Sequence, residues 1–158
     1  MPSIGIGAKA PDFALATDRN TTFSLSGHLG SPVVLVFYPQ DDTEGCTIEN
    51  IEFTQLMPEF RALGAEVVGI SPDSVADHCK FRDKYQLGLT LAADPDHRAI
   101  DAYGVWGAKT TFGHDYVGLI RTTFLVGPDG KIAGMWRVNR IKGHAADVIE
   151  AMRALVAA

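Results

Sequence analysis

The sequence predicts an α/β fold, with a mixed central sheet flanked by helices, and three observations carry that prediction. Val33-Val34-Leu35-Val36-Phe37-Tyr38 is a continuous apolar run rich in β-branched and aromatic residues. A run without polar alternation is the pattern of a strand covered on both faces, at the centre of a sheet. A second such run, Glu66 to Ile70, follows a helical pattern, and strand–helix–strand makes a parallel βαβ unit. Later, two strand patterns flank Gly127-Pro128-Asp129-Gly130, a hairpin signal that adds antiparallel pairing to the parallel core.

Taken in order, residues 1–11 are rich in Gly and Pro and are expected to be irregular. Gly5-Ile6-Gly7 has no strand before it and no third glycine, so it is not a dinucleotide fingerprint. Phe13 to Leu15 and Thr22 to Leu25 read as short strands around the polar turn Asp18-Arg19-Asn20. Pro39 removes a ladder donor and stops the central strand, and Gln40-Asp41-Asp42-Thr43 is turn chemistry. Ile51, Phe53, Leu56, Met57, Phe60 and Leu63 then recur at roughly helical spacing. Pro58 should kink that helix or open a second segment, and Gly64 should close it.

After the 66–70 strand, Ser74 and Asp77 match a capping box opening a helix to about Gln86. On a helical wheel Val75, His78, Phe81 and Tyr85 form its apolar face, and Cys79 falls beside that face. Leu89 to Ala92 reads as a strand, and Asp94-Pro95-Asp96 starts a short helix through Tyr103. Gly104 to Gly118 reads as a long surface loop, of a length that is usually functional or mobile. Thr122 to Val126 and Lys131 to Val138 are the hairpin strands. Ala145, Val148, Ile149, Met152, Leu155 and Val156 make the stripe of a closing helix.

Residues 1–158 fit one domain of ordinary globular composition. A net charge of −5 with no run of Lys or Arg argues against nucleic acid or an anionic membrane as partner. The longest apolar run is far too short to span a bilayer. His28, His78, His97, His114 and His144 are scattered, so no metal spacing appears, and no cofactor motif does either. Two cysteines make no disulfide framework and suit a reducing compartment where thiols do chemistry. With no signal-peptide pattern at the start, the cytoplasm is expected.

Cys46 sits where the buried strand hands over to a helix. If Thr43 is the N-cap, Cys46 falls at N3, among backbone N–H groups without intrahelical partners. Those donors and the positive end of the helix dipole favour a thiolate. A small buried hydrophobe is the other reading of a free cysteine at such a place.

The wording of the stretch points further. Pro39, Thr43 and Cys46 reproduce P-x-x-x-T-x-x-C, and Cys46-Thr47-x-Glu49 extends it, so the chain resembles the peroxiredoxins. The fuller pattern resembles their type-Q branch, the bacterioferritin comigratory proteins. Gly7-x-x-Ala10-Pro11-Asp12-Phe13, Gly64 to Ser71, Tyr103-Gly104-Val105-Trp106 and Arg121-x-Thr123-Phe124-Leu125 extend the likeness over nearly the whole chain. One departure is visible: Glu44 stands where the family usually has Pro before Gly-Cys.

The resemblance implies a thioredoxin-like fold and a thiol peroxidase that takes hydrogen peroxide and organic hydroperoxides. It implies Cys46 as nucleophile, Thr43 positioning the peroxide, Arg121 as the active-site cation, Pro39 shielding the sulfur and Glu49 orienting Arg121. The partner cysteine that many type-Q members carry on the same helix is absent, since that position is Ile51. Cys79, in the second helix, is then the expected resolving thiol, with thioredoxin or a similar dithiol as reductant and the chain acting as a monomer. A thioredoxin or disulfide isomerase would need Cys-x-x-Cys, and Glu49 occupies the second position. A non-enzymatic redox sensor reusing the fold is the alternative of a different class.

Overall fold

Five strands form the central sheet of the computed structural model, which describes residues 4–111 and 113–157. In chain order the elements are β1 (Ala14–Ala16), β2 (Thr22–Ser24), β3 (Val33–Phe37), α1 (Glu44–Ala62), β4 (Glu66–Ser71), α2 (Val75–Tyr85) and β5 (Thr90–Ala93). There follow α3 (Arg98–Ala102), β6 (Trp106–Thr111), β7 (His114–Leu119), β8 (Thr122–Val126), β9 (Ile132–Arg137) and α4 (His144–Ala157). A single 3₁₀ turn, Ser26–His28, lies between β2 and β3.

The sheet order is β5-β4-β3-β8-β9, with β3, β4 and β5 parallel and β8 and β9 antiparallel to their neighbours. The sheet is therefore mixed, as the sequence predicts. Every residue of β3 is buried. Alternate side chains of a strand face opposite ways, and here both ways lead to a core. Val33, Leu35 and Phe37 join a cluster with Phe13, Phe23, Tyr103 and Phe124, while Val34 and Val36 join Phe53, Phe60, Phe81 and Val148. That is why the run shows no polar alternation.

Helix starts and stops follow local chemistry. Gly64, with φ of +75°, turns the chain after α1, and the Ser74 hydroxyl accepts from the Asp77 N–H to cap α2. The Asp94 carboxylate accepts from the N–H groups of Arg98 and Ile100 at 2.7 and 2.8 Å and fixes the start of α3.

Three expectations need correction. Gly104 to Gly118 is not a loop: β6 and β7 pair antiparallel from Trp106↔Leu119 to Thr111↔His114. Gly107 faces Gly118 across the ladder, Gly107 lying against Ile120 and Gly118 against the Tyr116 ring and the Lys109 stem. The glycines that suggest a loop are thus part of a strand pair. Pro58 does not break α1, because it sits on the exposed side and only the Thr54 carbonyl loses a main-chain donor. Asp18 opens the expected turn and is buried there, its Oδ1 accepting from the Leu91 N–H at 2.9 Å. Residues 4–11 are irregular but anchored, Gly7 donating to the Ile132 carbonyl and Ile132 to that of Ala8; residues 1–3 lie outside the described residues. On α4, Val156 is exposed although it continues the stripe.

His144 opens α4 and is buried, with Nε2 2.8 Å from the Thr123 hydroxyl on β8. Burial pushes its pKa down to about 4, Asp147 raising it and Arg121 lowering it to smaller extents. The unfolded chain binds this proton near 6.5 and the folded chain only near 4. Stability should therefore fall as pH drops through that window. In His144→Gln, which keeps a donor for Thr123, the urea midpoint should decline less between pH 6.5 and 4 than in the parent.

Candidate active site

The order of strands brings the site together. β3 ends at Phe37, the turn 39–43 follows, and Thr43 stands at the N-cap of α1 with extended backbone. On the other side of β3, Thr122 pairs with Phe37, so Arg121 arrives where β3 ends and α1 begins. An antiparallel neighbour is what places a residue preceding one strand beside the end of another.

Cys46 lies in the first turn of α1 and is fully buried. Arg121 donates from Nη2 to Cys46 Sγ at 3.2 Å and from Nη1 to Glu49 Oε1 at 2.7 Å. Glu49 is one turn after Cys46, on the same side of the helix. Its side chain is 1% exposed, and Oε2 has no partner among the described residues. Burial pushes the Glu49 pKa up to about 7 despite the opposing pull of Arg121, while Arg121 is itself held above its ordinary value by Glu49 and Cys46 against the effect of burial. The guanidinium thus faces an acid and a thiol at once, in a setting where a fixed cation acts strongly on charge appearing at sulfur.

Thr43 does not cap the helix with its side chain. Its hydroxyl donates to the Gln40 carbonyl at 3.0 Å, and the residue is exposed. Pro39, Gly45, Arg121 and Pro72 line an open cavity of about 820 Å³. Trp106, Lys109 and Tyr116 of the β6–β7 hairpin and Ile141 complete its wall. Lys109 is held in place by donating to the Leu119 carbonyl at 2.6 Å and by lying over the Tyr116 ring. Gly45 has no room for a side chain, since a Cβ would stand 2.8 Å from Ile141 Cδ1 and 3.4 Å from Arg121 Nη2.

Cys79 is elsewhere. Both thiols are free, and Cys79 Sγ lies 3.7 Å from the Asp18 carbonyl, which Arg82 also holds. The structure thus brings together Cys46, Arg121 and Glu49, sets Pro39 and Thr43 at their rim, and leaves Cys79 on α2.

The sequence reading missed the hairpin side chains, and it also missed the straps between the turn and α2. Asp41 accepts from the Tyr38 hydroxyl at 2.6 Å and stands 2.7 Å from His78 Nδ1, whose Nε2 meets the Ala92 carbonyl. Asp42 accepts from Lys84 and Tyr85. Asp41, Asp73 and His78 offer ligand atoms within 4.8 Å of one another, but these are engaged with Tyr38, Ser71 and backbone N–H groups. The adjacency of two aspartates before Thr43 was the available signal, and it reads equally well as a solvated turn.

A buried thiol at a helix start, facing an arginine across a mixed thioredoxin-like sheet, defines a thiol peroxidase. Residues 6–135 match the AhpC/TSA family, and the chain belongs to it. Peroxiredoxin Bcp of Bacillus subtilis is 39% identical over 151 residues, covering 96% of each chain. The solved bacterioferritin comigratory protein of Xanthomonas campestris superposes with a TM-score of 0.88 at 34% identity, covering 96% of this chain and 99% of that one. PrxQ of Xylella fastidiosa superposes at 0.90 with 33% identity, covering 98% of both. Within the family this is a peroxiredoxin of the type-Q branch, a peroxidase.

Glu49 should leave a signature in stability. The unfolded carboxyl ionises near 4.5, whereas the folded one keeps its proton to about 7. Folded stability should fall as pH rises through that window, the loss being complete above it. Against Glu49→Gln, the parent's denaturation midpoint should therefore drop between pH 4.5 and 7, the opposite slope to that of His144.

Proposed function

We propose that this chain reduces hydrogen peroxide and organic hydroperoxides through a sulfenic acid on Cys46. The observation that carries the reading is the Arg121 guanidinium bonded to the buried Cys46 sulfur. The Cys46 thiolate attacks the nearer peroxide oxygen; an S–O bond forms, the O–O bond breaks, and the departing oxygen leaves with a proton as water or an alcohol. Negative charge moves from sulfur to that oxygen, and a preorganised cation beside both is the largest aid available. Thr43 spends its proton on the Gln40 carbonyl, so it meets the peroxide as an acceptor of its O–H. Glu49 orients Arg121, and Pro39 keeps water from the sulfur.

The size and apolar walls of the cavity suit an organic hydroperoxide as well as hydrogen peroxide. The Xanthomonas campestris relative is described by its alkyl peroxide reduction activity. For recycling, the Cys79 thiol attacks the sulfenic sulfur; an S–S bond forms and the hydroxyl leaves as water. Thioredoxin or a similar dithiol in the cytoplasm then reduces the disulfide, with the chain acting as a monomer. No helix among the described residues is long and apolar enough to cross a membrane. A disulfide needs Cα atoms within about 7 Å, and in this cycle both helix starts loosen so that the two free thiols meet. The bond of Cys79 to the Asp18 carbonyl favours a second cycle, in which an external thiol resolves Cys46 alone.

Cys46→Ser should abolish peroxide consumption while the fold is kept, and turnover near the parent's would end this reading. Arg121→Met should slow sulfenic acid formation in stopped flow by roughly 10²–10³, the loss of an aimed donor, and Thr43→Val, which removes the acceptor, should slow it as well. Mass analysis after one equivalent of peroxide separates the two cycles. A peptide linking Cys46 and Cys79 in monomer-sized material supports the internal disulfide. Unimpaired thioredoxin-dependent turnover in Cys79→Ser supports the external thiol.

A further inference from the structure

Along α1 the residues Cys46, Asn50, Thr54 and Pro58 stand four apart, a row that winds from the buried side at Cys46 and Asn50 to the exposed side at Pro58. Asn50 is fully buried, and its Nδ2 donates to the Cys46 carbonyl at 2.8 Å. The Thr54 hydroxyl does the same to the Asn50 carbonyl at 2.8 Å, and Pro58 has no N–H to offer Thr54. Side chains that bond back to the helix in this way compete with its own ladder. The row that begins at the Cys46 carbonyl is therefore loaded at three successive steps.

Asn50 adds a second feature. Its Oδ1 is buried and has no hydrogen-bond partner among the described residues. It faces β4 at Gly69, where a Cβ would stand 3.2 Å from Oδ1, 3.1 Å from the Tyr38 ring and 3.0 Å from Leu91. Only a glycine leaves space for the amide there. A buried acceptor without a donor destabilises the state that contains it. Asn50 is thus half satisfied, and only while the Cys46 carbonyl stays where it is.

We propose that Asn50 is a positioning residue that sets how readily the first turn of α1 releases Cys46. The proposal rests on Cys46 being the peroxide-reactive thiol. With that sulfur fully buried, its sulfenic acid reaches a second thiol, internal or external, only when the turn opens. In the closed turn the orphaned Oδ1 remains dry; in the open turn the amide rotates to water. The Nδ2 bond to the Cys46 carbonyl favours the closed turn, but a buried acceptor without a donor costs that state more, so on balance Asn50 raises the open population. Leucine has the same branching at Cγ without the polar atoms, and the residue-50 N–H still serves the Cys46 carbonyl, so it would favour the closed turn.

The test compares the parent with Asn50→Leu, and with Asn50→Met, a slimmer chain that carries the same test if leucine does not fold. In reduced protein, amide exchange at residues 46–49 should slow by about tenfold in the variants, the lower part of the range expected for relieving one such group. In single turnovers with one equivalent of peroxide, the ratio of disulfide or mixed-disulfide formation to sulfenic acid formation should fall by a similar factor. Excess peroxide should then carry more Cys46 to sulfinic acid. Unchanged exchange at 46–49 with an unchanged ratio overturns the proposal, as does slower exchange spread evenly over the chain, which marks a structural role only. Parent protein that forms no sulfenic acid defeats the peroxidase reading instead, and the exchange comparison still decides the role of Asn50.

Discussion

The contact on which the site depends is the pair of hydrogen bonds from Arg121 to Cys46 Sγ and Glu49 Oε1. It joins two elements far apart in sequence, the end of the 114–121 segment and the start of α1. It exists because β8 lies antiparallel on β3, with Thr122 opposite Phe37. Were β8 to slip by one residue, Arg121 would turn to the other face of the sheet. The fully buried β3, with a core on each side, is what makes such a slip costly. Packing at the centre of the sheet thus fixes a charge at its edge.

Burial makes the contact effective and also makes it demanding. Burial raises the Glu49 pKa to about 7 even though the permanently charged Arg121 beside it pulls the other way. Breaking a buried pair by removing one member generally costs several kcal/mol, because the other charge is left alone. The site therefore holds its geometry through groups that cannot be removed singly without penalty, while its rim is built differently. Thr43, Pro39 and the β6–β7 hairpin are exposed or half-buried, and they can admit a substrate without disturbing the cation.

The fold was legible in the sequence wherever burial imposed a period. β3, β4, α1 and α4 follow from runs or stripes of apolar residues, and the turn residues Pro39 and Gly64 punctuate them. The β6–β7 hairpin was not legible, because its stability comes from a cross-strand register in which Gly107 and Gly118 face each other, and a glycine reads the same in a loop. In the site, Cys46 and Thr43 were found from position and motif, and Arg121 from resemblance alone. Nothing in the residues around Arg121 says which strand it will meet. Glu49 likewise came from the resemblance, whereas Asn50, on the buried side of α1 between Cys46 and Phe53, carries no signal of burial until the partner elements are known. The straps from Asp41 and Asp42 to α2 have the same character, since a contact over some forty residues leaves no local trace.

One feature of the chemistry accounts for why a fixed cation in a dry pocket suffices. When the thiolate attacks, negative charge passes from sulfur to the departing oxygen and none is created or destroyed. The transfer takes place within reach of one guanidinium, whose second arm is already occupied by Glu49. Water would have to reorganise around charge that moves in this way, but a preorganised donor does not. The difficulty is thereby shifted from the first step to the second. A sulfur held so closely, with Gly45 pressed against Ile141 and Arg121 on its outer side, is well placed to meet a small peroxide and badly placed to meet another thiol. In the proposed cycle the same packing that favours oxidation opposes resolution, so opening at the start of α1 sets the balance between the two. In a chain whose second cysteine is tied to Asp18 on a different helix, that opening is where stability and turnover compete.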